Sequence, residues 1–192
     1  MDKWANLYFE GKLIDEKVLH YSKPSKIQLI YEISIISIPI LFIVVVFLLI
    51  GNYFNLNSGT LVLISILILS IGGFNIFYKI YRTRRNYIII TSKRILFHGI
   101  KGFFNDYMKK IHYENIVNVN YFTANLIGKF FGYGTLEIQT SHSGMGDIVM
   151  YHIENAKNIT HYIDKLISLN PEQRNDFGEF NPNYFKEGYE NK

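Results

Sequence analysis

Few side chains in this 192-residue sequence have the types and spacing that chemistry requires. The chain contains no cysteine, which excludes disulfides, thiolate nucleophiles and thiolate metal sites. Its six histidines are scattered: His142 and His152 fall on different predicted elements, and no HExxH motif occurs. Gly128 and Lys129 lack the upstream glycine and the following Ser or Thr of a phosphate-binding loop. The sequence therefore predicts no enzymatic activity, no metal ion and no cofactor.

Cations are concentrated in one stretch of the chain and form a candidate site for acidic lipid headgroups. They are Lys79, Arg82, Arg84, Arg85, Lys93 and Arg94. Each Lys or Arg near an anionic membrane surface contributes about 1 kcal/mol to the attraction. The simpler alternative is that these cations only set the orientation of a membrane segment, and one cluster can serve both roles. No pattern points to a nucleic-acid partner.

Two stretches bounded by glycine carry paired aromatic residues beside a lysine. One is GIKGFFND, with Phe103 and Phe104, and the other is ANLIGKFFG, with Lys129, Phe130 and Phe131. Such pairs can enter a membrane interface or bind a protein partner, which makes these residues candidates for partner binding. Packing of half of each pair into the core is an equally open alternative.

Two apolar segments, residues 27–50 and 60–80, predict a transmembrane helical hairpin. No Asp, Glu, Lys or Arg occurs from Ile33 to Tyr78. About 20 apolar residues in a helix reach across the roughly 30 Å hydrocarbon layer of a bilayer. The connecting GNYFNLNSG is uncharged and rich in turn residues, as a short loop requires.

The cations that flank the hairpin predict its orientation. Lys17, Lys23 and Lys26 precede the first segment, the cation cluster follows the second, and the connecting loop has none. Because Lys and Arg near span ends are retained inside the cell, we expect both termini to be cytoplasmic. Within the hairpin, Gly72 and Gly73 would permit close helix approach.

From Tyr87 onward the pattern changes to short runs rich in Ile, Val, Tyr and Phe, which predict β-strands. The runs are NYIIIT, KRILFHG, DYMKKIHY, NIVNVNYF, GYGTLEIQT and IVMYHI. In NIVNVNYF, Val117, Val119 and Tyr121 alternate with asparagines, which predicts one solvated face. A helix capped by Asn155 closes the domain. Its apolar stripe consists of Ile159, Tyr162, Ile163, Leu166 and Ile167.

The strings NYIIITSKRILF, IHYENIVNVNYF, GKFFGYGTLEIQTS and NITHYIDKLI resemble the bacterial pleckstrin-homology (PH) family of the membrane-associated DUF304 type. Tyr87, Thr91, Arg94 and the FGYGTL string carry most of the resemblance. It implies a two-helix transmembrane hairpin followed by a β-rich PH-like roll of about seven antiparallel strands, closed by a C-terminal α-helix. It implies neither catalytic residues nor an agreed ligand.

The resemblance also bears on lipid recognition. PH domains that read inositol phosphates use a long basic loop between their first two strands. In this sequence we expect that loop to have collapsed to Thr91 and Ser92, which argues against specific phosphoinositide recognition.

The sequence thus predicts four parts: a cytosolic N-terminal segment (1–26), the hairpin (27–80), the PH-like domain (86–169) and a polar aromatic tail (170–192). The tail is expected to be flexible or to dock on a neighbouring protein. The expected function is a non-enzymatic module for protein–protein assembly, including self-association, at the cytoplasmic face of the cell membrane. The alternatives are a sensor of acidic membrane lipids and an accessory subunit of a membrane complex, contacted through Glu32 and Asn75.

Overall fold

The structure, a computed structural model, consists of two units, one of which is inserted into the other along the chain. Lys26–Arg84 forms the inserted unit, called the hairpin below. Met1–Ser25 and Arg85–Lys192 together form the second unit, called the roll. The residues that the structure describes are 9, 11–102, 105–123, 126–141 and 146–182.

The hairpin contains helices α1 (Lys26–Tyr53) and α2 (Ser58–Arg85), each of 28 residues. Both are longer than the predicted segments because flanking residues, among them Lys26, Tyr53 and Arg82, continue the helical backbone. Pro39 lies inside α1. By length and composition both helices are able to cross a membrane.

Small residues allow the two helices to approach closely. A Cβ atom on Gly72 would lie 2.6 Å from Ile40 Cδ1, and one on Gly51 would lie 2.2 Å from Leu61 Cδ2. A side chain at either position would displace the neighbouring Ile40 or Leu61 side chain, so glycine permits this approach without rearrangement. Gly73 has no such neighbour, and the predicted close approach therefore concerns Gly72 alone of that pair.

Polar side chains of the hairpin have partners within it. Lys79 Nζ lies 2.9 Å from Glu32 Oε2, and Gln28 donates a hydrogen bond to Glu32 Oε1. Asn75 donates a hydrogen bond of 2.8 Å to the Ile71 carbonyl oxygen. The two residues that we expected to contact a larger membrane complex are thus bonded inside the chain itself.

Among the described residues of the roll, seven antiparallel strands form two sheets. The first sheet has the order β1 (Val18–Ser22), β2 (Tyr87–Thr91), β3 (Arg94–Lys101) and β4 (Asn105–His112). The second has the order β5 (Ile116–Phe122), β6 (Tyr133–Thr140) and β7 (Ile148–Glu154). The α-helices among these described residues are α3 (Leu126–Phe131), α4 (Ala156–Ser168) and α5 (Pro171–Asp176). The predicted fold class is confirmed.

The first strand of the roll precedes the hairpin. Strand β1 pairs with β2, with Ser22 opposite Ile88, so residues before the hairpin form the edge of the first sheet. The hairpin is therefore the connection between the first two strands. The prediction that this connection had collapsed to Thr91 and Ser92 is wrong, because those residues lie at the turn from β2 to β3.

The core lies between the two sheets and α4. Its largest fully buried side chains come from every strand except β5, among them Leu19, Ile88, Ile90, Ile95, Ile111, Leu136, Ile138, Ile148 and Met150. Strand β5 contributes Ile116 and Val119, which are 8% and 6% exposed. The predicted stripe on α4 faces this core, with Ile167 partly buried at its edge. Asn155 precedes α4, but its side chain makes no capping hydrogen bond. Its backbone N–H donates instead to the Gly132 carbonyl oxygen, over 2.8 Å.

Strand β5 differs from the predicted alternation. Its pairing register with β6 shifts between Ile116 and Asn118, which marks a β-bulge. Ile116 and Val119 consequently face the core, whereas Val117 is 67% exposed. A one-residue irregularity of this kind moves side chains to the opposite face, and a strict period of two does not reveal it.

The beginning of the predicted flexible tail is part of the roll. Phe177 and Phe180 pack on the core around Tyr162, and the Phe180 N–H donates a hydrogen bond to the Leu19 carbonyl oxygen of β1. Buried Arg174 in α5 donates a bond of 2.7 Å to the Leu166 carbonyl oxygen and lies over the Tyr113 ring. Residues 170–182 thus dock on their own chain. Tyr184, Phe185 and Tyr189 lie outside the described residues.

Deletion of residues 171–192 is expected to lower the free energy of unfolding of the roll by about 3 kcal/mol, because two aromatic contacts and a charge-assisted hydrogen bond are lost. The measurement is urea unfolding of the detergent-solubilised chain, followed by near-ultraviolet circular dichroism. Deletion of residues 183–192 is the matched control, since the difference between the two deletions isolates residues 171–182. Equal stability of the two deletions would contradict the docking described above.

Candidate functional site

The chain enters and leaves the hairpin at one end of the first sheet. Strand β1 ends at Ser22 and β2 begins at Tyr87, and only residues 23–25 and Asn86 separate these strands from the helices. We call this end of the roll the hairpin end. Because consecutive antiparallel strands alternate in direction, the connection from β3 to β4 also lies at the hairpin end.

The second sheet is joined to the hairpin end by backbone contacts. Pro24 forms an isolated antiparallel bridge with Ile153 of β7, and the Ser25 N–H donates a 2.7 Å hydrogen bond to the His152 carbonyl oxygen. Ile153 pairs with Gly134 near the start of β6. The connection from β5 to β6, which contains α3, therefore lies beside the segment that leads into the hairpin.

Helix α3 presents an apolar surface to solvent. Leu126 is 75% exposed, Phe130 87% and Phe131 58%, while Gly128 is buried against the sheet. Lys129 is also exposed. These four exposed residues, Leu126, Lys129, Phe130 and Phe131, are called the α3 surface below. Both phenylalanines of this predicted pair therefore lie outside the core.

Glycines fix the position of α3. Gly132 has a φ of +70° and ends the helix in the left-handed conformation that glycine adopts without strain. A Cβ atom on Gly134 would lie 2.7 Å from the Phe122 carbonyl oxygen, so the strands at the base of α3 approach too closely for any side chain there.

Behind α3 lies an open cleft of about 330 Å³. Its lining includes the side chains of Tyr121, Lys129 and Lys157 and the backbone of Gly128 and Gly132. Both charged residues that line the cleft are lysines, which makes it attractive to anions. Among the described residues, no group of three or more His, Asp or Glu side chains could hold a metal ion.

The other predicted aromatic pair, Phe103 and Phe104, lies outside the described residues. Its neighbours Lys101 and Asn105 pair with each other at the ends of β3 and β4. The candidate role of this pair stays a prediction.

The candidate cations that belong to the roll lie at its two ends. Lys79, Arg82 and Arg84 belong to the hairpin, where Lys79 is paired with Glu32. Arg85, at the hairpin end of the roll, lies 2.9 Å from Asp106 Oδ2. Lys93 lies in the turn between β2 and β3, about 13 Å from the hairpin end at the usual rise per residue of a strand.

Arg94 is buried, which excludes the predicted contact with lipid headgroups. Its guanidinium donates hydrogen bonds of 2.9 Å to both carboxylate oxygens of Glu16 and one of 2.6 Å to the Gly11 carbonyl oxygen. Glu16 also accepts hydrogen bonds from the Thr91 hydroxyl and the Leu13 N–H. This cluster attaches the N-terminal segment to the turn between β2 and β3. The sequence gives no local signal for it, because Glu16 and Arg94 are 78 residues apart.

The environment of Glu16 favours its charged form. Burial alone would raise the pKa of this carboxyl, but hydrogen bonds from Arg94, Leu13 and Thr91 and the charge of Arg94 outweigh it and lower the pKa. The pair is therefore ionised at neutral pH and has its hydrogen bonds satisfied inside the protein.

The roll has a four-stranded and a three-stranded antiparallel sheet and is closed by α4, which defines a PH-like fold. The helical hairpin, a candidate membrane anchor, forms the connection between its first two strands. The sequence matches the family described as bacterial PH domain over residues 33–167, and the chain belongs to that family. The match begins inside α1 and ends inside α4, so it does not include β1. Domains of this family are in general non-catalytic interaction modules.

One solved structure similar to this chain is a DUF1696 family protein with a pleckstrin-homology domain from Shewanella loihica PV-4. The two share 20% sequence identity with a TM-score of 0.33, over 45% of this chain and 71% of that one. A comparison with curated proteins gives no match.

Proposed function

We propose that this chain is a membrane-anchored, non-catalytic binding module that assembles with proteins, including a second copy of itself, at the cytoplasmic face of the cell membrane. The observation that carries the proposal is the insertion of the hairpin between β1 and β2. A roll whose first connection is its membrane anchor stays at the bilayer permanently. It therefore has no need to recruit itself to the membrane by recognising a lipid.

Recognition of acidic lipid headgroups, the alternative function, has less support. The family resemblance implies that a headgroup-reading loop would connect the first two strands, and here that connection is the hairpin. Three of the candidate cations also have carboxylate partners, namely Lys79 with Glu32, Arg85 with Asp106 and Arg94 with Glu16. A cation paired with a carboxylate presents little net charge to a phosphate group.

The cytoplasmic location of the roll is part of the proposal. Cations flank the hairpin on the side of the roll, and the loop between α1 and α2 has none. A reporter fused after Lys192 should therefore be active in the cytoplasm only, and activity confined to the outside would contradict this orientation.

Cross-linking in native membranes, combined with light scattering in mild detergent, tests the assembly. We expect the full chain to form a discrete oligomer that persists at high salt, since the contacts between proteins do not depend on screened surface charges. The hairpin alone, residues 26–85, is the matched control and should remain monomeric if the roll supplies the contacts. A monomeric full chain, together with salt-sensitive binding of the hairpin-free roll to acidic vesicles, would favour the lipid sensor instead.

A further inference from the structure

We infer that the α3 surface inserts into the interface of the cytoplasmic leaflet. It serves as a second, peripheral membrane contact in addition to the hairpin. This inference rests on the membrane anchorage proposed above, but it does not depend on protein assembly. It assigns the lipid bilayer as the occupant of the apolar surface on α3.

The apolar side chains of the α3 surface are exposed to solvent. Leu126 and Phe130 are among the most exposed large apolar residues of the roll, and Phe131 follows in the same turn. Bulky apolar side chains grouped on one short helix are characteristic of a surface that is covered in use. Half-buried Ile127 and buried Gly128 hold the opposite face of α3 on the sheet, so the exposed face cannot turn inward without loss of that packing.

Helix α3 lies at the hairpin end of the roll. The Pro24 bridge to Ile153 and the pairing of Ile153 with Gly134 join the base of α3 to the segment that enters α1. Only residues 23–25 on one side and Asn86 on the other separate the roll from the helices. Since those helices are long and apolar enough to span a bilayer, the end of the roll that carries α3 is the end tied to the membrane surface.

Positive charge accompanies the apolar side chains of α3. Lys129 lies within the α3 surface, and Lys157 lies across the cleft behind it. Phenylalanine and leucine at the acyl boundary with lysines at the level of the phosphates is the arrangement that interfacial helices use.

The absence of cysteine makes the inference directly testable. A single cysteine replaces Phe130 in the full chain, is labelled with an environment-sensitive fluorophore, and is studied in proteoliposomes. Val117→Cys is the matched control, because Val117 is 67% exposed and lies near the opposite end of the roll, where Ile116 pairs with Thr140. Lipids brominated near the headgroup end of the acyl chain should quench the label at position 130 several-fold more than the label at 117. Adding Leu126→Ser and Phe131→Ser should reduce that quenching.

Equal quenching at the two positions would overturn the inference. A blue-shifted but unquenched label at position 130 would also overturn it, because a protein rather than lipid would then cover α3, and the proposed assembly would stand. Alkaline carbonate extraction of the same membranes distinguishes failure of the proposed anchorage from failure of the α3 inference. A chain that is extracted refutes the anchorage and this inference together, whereas an integrated chain with an unquenched label refutes this inference alone.

Discussion

Arg94→Ala is expected to lower the free energy of unfolding of the roll by about 3–5 kcal/mol, because it leaves the buried Glu16 carboxylate without its partner. Glu16 and Arg94 are only 3% and 8% exposed, and their two-point contact excludes water. The measurement is urea unfolding of the detergent-solubilised chain. Loss of the Gly11 contact adds to the effect, since the N-terminal segment is then no longer attached.

Arg85→Ala is the matched control for that substitution. It removes the same side chain from an ion pair of equal length, but the side chains of Arg85 and Asp106 are 47% and 36% exposed. A pair of this kind contributes less than about 1 kcal/mol. Similar losses from the two substitutions would show that burial of the Glu16–Arg94 pair does not determine its contribution.

The same pair predicts a dependence on pH. Because the pKa of Glu16 in the folded protein is lowered from its ordinary value of 4.5, the folded state holds this proton less tightly than the unfolded state. The stability that Glu16 contributes is therefore complete above that value and is lost as the pH falls through the lowered one. Glu16→Gln should be less stable at neutral pH and should lack this part of the acid-induced decrease.

A fragment of residues 86–169, the domain predicted from sequence, is expected not to fold cooperatively. It lacks β1, so Ile88 and Ile90 lose the cover of Leu19, and Arg94 loses Glu16. It also lacks the docked residues 171–182. A chain in which residues 1–25 are joined to residues 86–192 by a short Gly–Ser linker should fold as a soluble roll, because Ser22 and Ile88 are already neighbours.

Amide proton dispersion in NMR spectra and the cooperativity of urea unfolding distinguish the two proteins. The linked roll should give dispersed resonances and one transition, and the fragment should give neither. Cooperative unfolding of the fragment at the same midpoint as the linked roll would show that β1 is dispensable.

Features with a local signal were predictable from the sequence. The hairpin is visible in composition, six strands are visible as runs of β-branched and aromatic residues, and α4 is visible in its apolar period. Strand β1 has only the five residues VLHYS, and 64 residues, 23–86, separate it from its partner beyond the hairpin. A short strand becomes identifiable when its partner is known. No local pattern in the sequence indicates a partner on the other side of the hairpin.

The candidate site was predictable in part for the same reason. Paired aromatics and glycines identified the stretch around Phe130, but exposure depends on which face of α3 packs on the sheet. The cation cluster was predicted from nearness in sequence, whereas strand β2 carries Lys93 and Arg94 to the far end of the roll. Long-range pairing decided the role of each of these charges, and composition does not encode it.

If the hairpin spans the membrane, as we propose, completion of the roll depends on membrane insertion. Residues 18–22 emerge from the ribosome before either long helix, and their partner strand emerges after both. If one helix alone crossed the bilayer, β1 and β2 would be on opposite sides, Arg94 would have no access to Glu16, and the sheet would lack its edge. Under the proposed anchorage, the native chain therefore completes the roll only when both helices are inserted, so that folding verifies the topology and misinserted chains would remain open to proteolysis.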